Sequence, residues 1–258
     1  MAPTEILSPE EARAYRVLCD FCSLLFTENP TEETLDRLIA ERALLLEDPF
    51  ATVAPEAAAE LSALLASAAE GDRASFVTEV RRDYSYLFLM VGASHTSPFE
   101  SVYRTDDRTM FGPTTLEVRE SYRAWSVEVP SQGAVPDDHF GFEMAFASHL
   151  LGLIDGADGA AGSDDADDDL AGGSDAPGAM GAIDSAAACR ATEALGTFLA
   201  DHVLVFSPVY LRNVQTQAKE PFYRLVAAIA EATVSSLAAA LNVQASEAID
   251  EQAYLIDG

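Results

Sequence analysis

Nowhere in this chain do apolar and polar residues alternate over a length that could make a useful strand. Apolar positions instead recur every three or four residues behind helix-start signals, which restricts the chain to an all-α fold. Ser8, Pro9 and Glu11 spell a capping box with proline at the first helical position, and Tyr15, Leu18, Cys22, Leu25 and Phe26 follow on one face. That helix ends before Asn29 and Pro30. Thr31, with Glu32 and Glu33, starts a second helix carrying Leu35, Leu38, Ile39 and Leu46. A third begins at Pro55, buries Leu61, Leu64 and Leu65, and stops at Gly71. Asp72 caps a fourth, with Phe76, Val80, Tyr84, Leu87 and Val91 at helical spacing as far as Gly92.

From Ala93 to Pro113 the pattern gives way to a Ser/Thr/Pro/Gly loop. It still holds Phe99, Val102, Tyr103, Met110 and Phe111, so it is expected to pack against the fold. Thr114 with Glu117 reads as another capping box, opening a helix through Val118, Tyr122 and Trp125. Pro136, Asp137 and Asp138 open a helix that runs to Ile154, with acids at its positive end. Asp155 to Gly181 is almost entirely Gly, Ala, Ser and Asp and reads as an acidic flexible linker. Helices resume over Ile183–Val205 and Pro221–Leu241, and an acidic tail closes the chain with Tyr254, Leu255 and Ile256 as its apolar cluster. The expectation is one all-α domain, a bundle of about eight to ten helices: an N-terminal part over 1–154, the linker over 155–181, C-terminal helices of the same domain over 182–245, and the tail over 246–258.

At 258 residues the chain can bury a core without disulfides or metals. Its three cysteines, Cys19, Cys22 and Cys189, are odd in number and point to a reducing compartment. Met1 to Glu11 has no apolar run, so no signal sequence is read there and the protein is expected in the cytoplasm. Leu225–Val243, interrupted by Glu231, Thr233, Ser235 and Ser236, reads as a core helix rather than a membrane span. The net charge of −28, with Lys219 the only lysine, argues against nucleic acid or an anionic membrane as partner. Most of that charge is ascribed to life in concentrated salt. At about 1 M salt, where the Debye length is ~3 Å, it steers partners little.

Local chemistry is sparse. Cys19-x-x-Cys22 lies inside a helix with no second Cys or His pair, so it reads as core rather than as a redox or zinc motif. His139 and Glu143 stand at i,i+4, but no Glu-x-x-His exists to complete a di-iron bundle, and no metal or other cofactor is expected. At a helix start, His139 should be neutral, and helix capping or hydrogen bonding would account for Asp138 and His139. There is no P-loop, G-x-S-x-G elbow, Rossmann glycine run or HExxH.

Four segments, in order, resemble the TorD/DmsD/NarJ family of redox-enzyme maturation chaperones, and most closely its DmsD/TorD branch. They are Tyr84-Ser85-Tyr86-Leu87-Phe88, then Pro98-Phe99-Glu100-Ser101-Val102-Tyr103 with Phe111-Gly112, then Pro136-Asp137-Asp138-His139-Phe140-Gly141, and finally Phe198-Leu199, His202 and Phe206-Ser207-Pro208. The sequence departs from that branch in having Tyr84 where tryptophan is common, and in its longer acidic linker. The resemblance implies an all-helical protein that is not an enzyme. It would bind the twin-arginine leader of the catalytic subunit of a molybdenum-cofactor reductase. On that basis Tyr84, Leu87 and Phe88 would line an apolar groove in the N-terminal part, Asp138 and His139 would contact the leader beside it, and Ser101, Tyr103 and Glu143 would assist. A GTP-binding accessory protein and a structural subunit of a redox complex stand as alternatives, and the expected state is a monomer or a domain-swapped dimer.

Overall fold

Helix α1 (Pro9–Phe26) forms where the capping box stands: Ser8 accepts from the Glu11 N–H, and the Glu11 carboxylate accepts from the Ser8 N–H. The computed structural model describes residues 6–89, 96–105, 107–130, 135–156 and 185–255. Thr31 caps α2 (Glu32–Glu41), which tightens into a 3₁₀ turn over Arg42–Leu46. One-turn α3 (Phe50–Val53) precedes α4 (Pro55–Glu70), and Asp72 caps α5 (Arg73–Tyr84). A wide π turn over Ser85–Leu89 extends α5. Then follow α6 (Ser101–Arg104), α7 (Pro113–Ala124) and α8 (Phe140–Asp155). Beyond the linker come α9 (Ser185–Phe198), a π turn over Leu199–Val203, α10 (Leu204–Gln217), α11 (Pro221–Ala240) and α12 (Glu251–Tyr254). Nine of these helices have ten or more residues, which matches the expected number, and no strand occurs among the described residues.

Helices α1 and α8 lie antiparallel as the central pair. Arg13 bonds Asp155 at 2.7 Å, Ser148 donates to Asp20, and Gly141 sits against Thr27. These ties fall at seven-residue steps on both helices, the seam expected when side-chain ridges interlock at a shallow angle. Helix α11 packs on α1, α4 and α10, and α9 packs on α8. Carbonyls at the end of α1 lack intrahelical donors. The Tyr84 hydroxyl donates to the Phe26 carbonyl and the Tyr223 hydroxyl to that of Leu25, each at 3.2 Å. The Phe26 ring itself meets Phe88, Phe140, Tyr210 and Tyr223 edge-on.

Several expected boundaries moved. Gly112, not Thr114, caps α7; Thr114 is buried, so the Thr114/Glu117 capping box does not form. The helix expected to end at Val205 runs through Pro208 to Gln217. The π turn, in which the Leu204 N–H reaches back to the Leu199 carbonyl, shifts the hydrogen-bond register just ahead of the proline. Helix α8 keeps Asp155 and ends at Gly156 in the left-handed conformation (φ 77°), so the expected linker loses its first two residues to the helix end. The rest of that linker, the expected reach of α5 to Gly92 and part of the Ala93–Pro113 loop lie outside the described residues. The acidic tail is anchored: Asn213 and Arg108 donate to the Tyr254 and Ala253 carbonyls at 2.7 and 2.8 Å, and Tyr254 lies 5.3 Å from Tyr103.

Two stretches, Ala186–Gln217 and Pro221–Ala240, are long and apolar enough to cross a bilayer. More than half of each one's most apolar window is buried in the fold, as the sequence led us to expect for the second. Cys19 and Cys22 are buried in α1, and desolvation pushes the Cys22 thiol up to about 12, which suits packing and not redox chemistry.

Candidate functional site

Asp138 organises the region. Its carboxylate accepts from the Ser101 N–H at the start of α6 (2.7 Å) and from the Thr115 hydroxyl in the first turn of α7 (2.8 Å). Its carbonyl accepts from the Glu100 N–H (2.9 Å), and the Phe140 N–H donates to Pro98 (2.8 Å), so Phe99 and His139 pair as an isolated antiparallel bridge. That pairing holds His139 in an extended conformation, which is why α8 starts at Phe140 and not at Pro136 as the sequence suggested. Neighbouring Asp137 accepts from Arg119 at 2.6 Å and holds the Tyr122 hydroxyl on its carbonyl at 3.1 Å. Both aspartates are completely buried, so each needs these donors.

His139 is the cap of α8, its Nδ1 accepting from the Gly141 N–H at 3.0 Å. The ring is neutral, as its helix-start position suggested, and burial is the cause: it lowers the pKa to about 4. Glu143, one turn on, is fully buried with neither carboxyl oxygen hydrogen-bonded. Desolvation, then the nearby Glu100 and Asp138, push its pKa well up, and Arg104 opposes them, so Glu143 holds its proton. Glu100 binds Arg104 at 2.5 Å and His202 Nδ1 at 3.0 Å, and Arg104 also reaches Glu247 at 2.7 Å. No group of three metal-ligating side chains occurs among the described residues.

The second cluster surrounds Phe26. Tyr84 and Leu87 are buried there, the Thr96 hydroxyl donates to the Leu87 carbonyl, and the Phe88 ring lies 4.8 Å from Tyr84 and 5.6 Å from Tyr223. Through Phe26 and Phe140 the two clusters meet, so the residues singled out in the sequence do converge. Their exposure is another matter. Tyr84, Leu87, Ser101, Tyr103, Asp138, His139 and Glu143 are all buried and only Phe88 is half-buried, so most of them frame a surface instead of forming it. A leucine or tyrosine at helical spacing reads the same whether it faces a core or a groove. The accessible apolar groups beside them are Leu89, 62% exposed, and half-buried Phe99 and Phe142, whose rings flank His139 at 5.1 and 5.3 Å. Sequence reading had not selected these three, although Phe99 and Phe142 lie within or beside the motifs it quoted.

Removing the central carboxylate tests this architecture. Asp138→Ala leaves the Ser101 N–H and the Thr115 hydroxyl unpartnered in a dry site and should lower stability by about 2 kcal/mol in urea denaturation. An unchanged midpoint would show that the clamp does not bear on folding.

The sequence matches the family of the nitrate reductase delta subunit over residues 47–211, a span containing all eight of the selected residues. Chaperone protein TorD of Shewanella piezotolerans is 24% identical over 145 residues, covering 54% of this chain and 67% of that protein. Chaperone protein TorD of Shewanella loihica is 28% identical over 150 residues, covering 56% and 68%.

Proposed function

Because this chain belongs to the nitrate reductase delta subunit family, the family of the TorD/DmsD/NarJ maturation chaperones, we propose that it is a redox-enzyme maturation chaperone. In this reading it holds the twin-arginine leader of a molybdenum-cofactor reductase catalytic subunit in the cytoplasm while that subunit is loaded and assembled for export. The observation that carries the reading is the accessible apolar surface of Phe88 and Leu89 beside the Tyr84 cluster and of Phe99 and Phe142 on either side of His139, all within the span matched to the family.

A leader's apolar stretch needs such a surface. Burying several hundred Å² at ~25 cal/mol per Å² yields roughly 10 kcal/mol gross, and ordering the peptide removes much of it, leaving micromolar binding or somewhat tighter. Tyr84, Leu87, Ser101, Tyr103, Asp138, His139 and Glu143 then act as positioning residues: they hold the patch in shape from beneath. His139, neutral between Phe99 and Phe142, adds no charge to repel the peptide's apolar segment.

Leu89→Asp should weaken binding of a synthetic twin-arginine leader at least tenfold in titration calorimetry, since it places an unpaired charge where apolar area is to be buried. Leu89 is largely exposed, so the melting temperature should hold. Unchanged affinity would remove the patch from the binding surface, and failure of the parent protein to retain the leader in pull-down would remove the reading itself.

A further inference from the structure

Residues 246–255 lie as a strap over α6, the Leu199–Val203 turn and α10. Asn242, in the left-handed conformation (φ 54°), ends α11, and the Val243 N–H returns to the Ala238 carbonyl at 2.9 Å, a cap that fixes the direction in which the chain leaves the helix. The Ser246 N–H then donates to the Ala200 carbonyl at 2.8 Å, and Glu247 meets Arg104 at 2.7 Å. Tyr254 seats the far end. Its ring lies 5.3 Å from that of Tyr103, the Arg108 guanidinium stands 4.8 Å from its centre, and its carbonyl accepts from Asn213.

The floor beneath the strap is more deeply set than the strap itself. Tyr103 and Asn213 are 2% and 1% exposed, and Phe206 backs Tyr103 at 5.5 Å. In the strap, by contrast, Ile249, Tyr254 and Leu255 are only half-buried, and Ser246, Glu247, Asp250 and Gln252 are exposed. Little of its surface is withdrawn from water, so little opposes its local opening. The grip is also of a transferable kind. Asn213 and Arg108 donate at 2.7 and 2.8 Å to the main-chain carbonyls of Tyr254 and Ala253, groups that every polypeptide carries. Selectivity falls to two places: the Tyr103 face with Arg108, which fits an aromatic ring, and Arg104, which fits a carboxylate.

We propose that this groove is a docking site for a partner polypeptide carrying a carboxylate and, seven residues on, an aromatic ring, and that residues 246–255 are its resident competitor. The strap displays what the groove takes, because Glu247 and Tyr254 place that pair of groups in it. The groups that grip it, Arg104, Arg108 and Asn213, act as donors, which suits a carboxylate and carbonyls and offers a pair of arginines nothing to donate to. The site is therefore separate from leader binding and stands apart from the chaperone reading. A tethered segment holds its groove at a local concentration on the order of mM, so the site stays closed until an outside segment outcompetes the strap.

Full-length protein carrying Glu247→Gln with Tyr254→Ser should release the strap and, since one position is exposed and the other half-buried, keep its melting curve. A fluorescein-labelled synthetic copy of residues 246–255 should then bind this variant saturably in fluorescence anisotropy, at least about tenfold tighter than it binds the parent, whose own strap competes. The same peptide bearing the two substitutions should bind neither protein. Failure of the unsubstituted peptide to bind the variant, equal binding to variant and parent, or equal binding by the substituted peptide would overturn the proposal. Hydrogen exchange of the parent needs no substitution. The Ser246 amide should exchange at least about a hundredfold faster than the amides of α8, through opening of the strap alone. Exchange as slow as that of α8 would mean that the strap leaves only when the whole fold does, and would overturn the proposal as well. So would a parent that sediments as a dimer and is dissociated by the same two substitutions, because the occupant would then be the strap of a second copy.

Discussion

Gly141→Ala should destabilise the protein by about 3 kcal/mol, a fall of roughly 10 °C in melting temperature, although alanine in a helix interior ordinarily gains up to about 1 kcal/mol over glycine. The sign reversal comes from one close crossing. A Cβ on Gly141 would lie 2.8 Å from the Thr27 nitrogen and 2.9 Å from the Thr27 Cα, and would collide with the Thr27 hydroxyl as well. The hydroxyl could rotate away; the backbone atoms could not. Relief therefore means pushing α8 off the end of α1, where Asp20–Ser148 and Arg13–Asp155 fix the same seam seven and fourteen residues away. The Phe26 carbonyl that holds Tyr84 sits at that point too, so displacement would spread into both aromatic clusters. Urea unfolding of Gly141→Ala beside the parent measures the effect. A stability equal to or above the parent's would mean that α1 and α8 do not approach this closely.

What the sequence made legible follows from whether the cause was local. Ser8, Thr31 and Asp72 cap the helices they were expected to cap, because a cap needs only its own next three residues. The starts of α7 and α8 were misread because distant groups decide them: Thr115 donates its hydroxyl to Asp138, and the backbone before α8 pairs with Pro98–Glu100. The run of helix through Pro208 likewise depends on a π turn that residue periodicity does not encode. Family-like motifs picked out residues that converge, but spacing could not say which would be buried. The Glu100–His202 pair joins positions 102 apart in the chain, and no local signal foreshadows it. Asp83 shows the same thing from the fold's side, accepting from the Lys219 and Glu220 N–H groups at 3.0 and 3.1 Å to cap α11 from another helix.

Glu143→Gln should flatten the loss of stability that the parent suffers toward alkaline pH. The Glu143 carboxyl has an ordinary pKa of 4.5, and in the fold it is raised well above that by burial, Glu100 and Asp138. A raised acid pKa favours the folded state fully below 4.5 and loses that contribution as pH climbs through the folded value, because the unfolded chain releases the proton first. The slope for one such group is at most about 1.4 kcal/mol per pH unit. His139 works in the opposite direction, its pKa lowered from 6.5 to about 4, so its contribution is lost as pH falls through that interval. Between pH 4.5 and 6.5 the two oppose one another. Above 6.5 His139 is neutral in both states and the Glu143 decline stands uncovered. Groups common to both proteins cancel in the difference between Glu143→Gln and parent. That difference should therefore move in favour of the variant as pH rises above 6.5, by at most about 1.4 kcal/mol per pH unit, read from denaturation midpoints at each pH. Parallel curves would mean that Glu143 is already ionised in the fold, and the crowding of Glu100, Asp138 and Glu143 around Arg104 would then need a cation that these side chains do not supply.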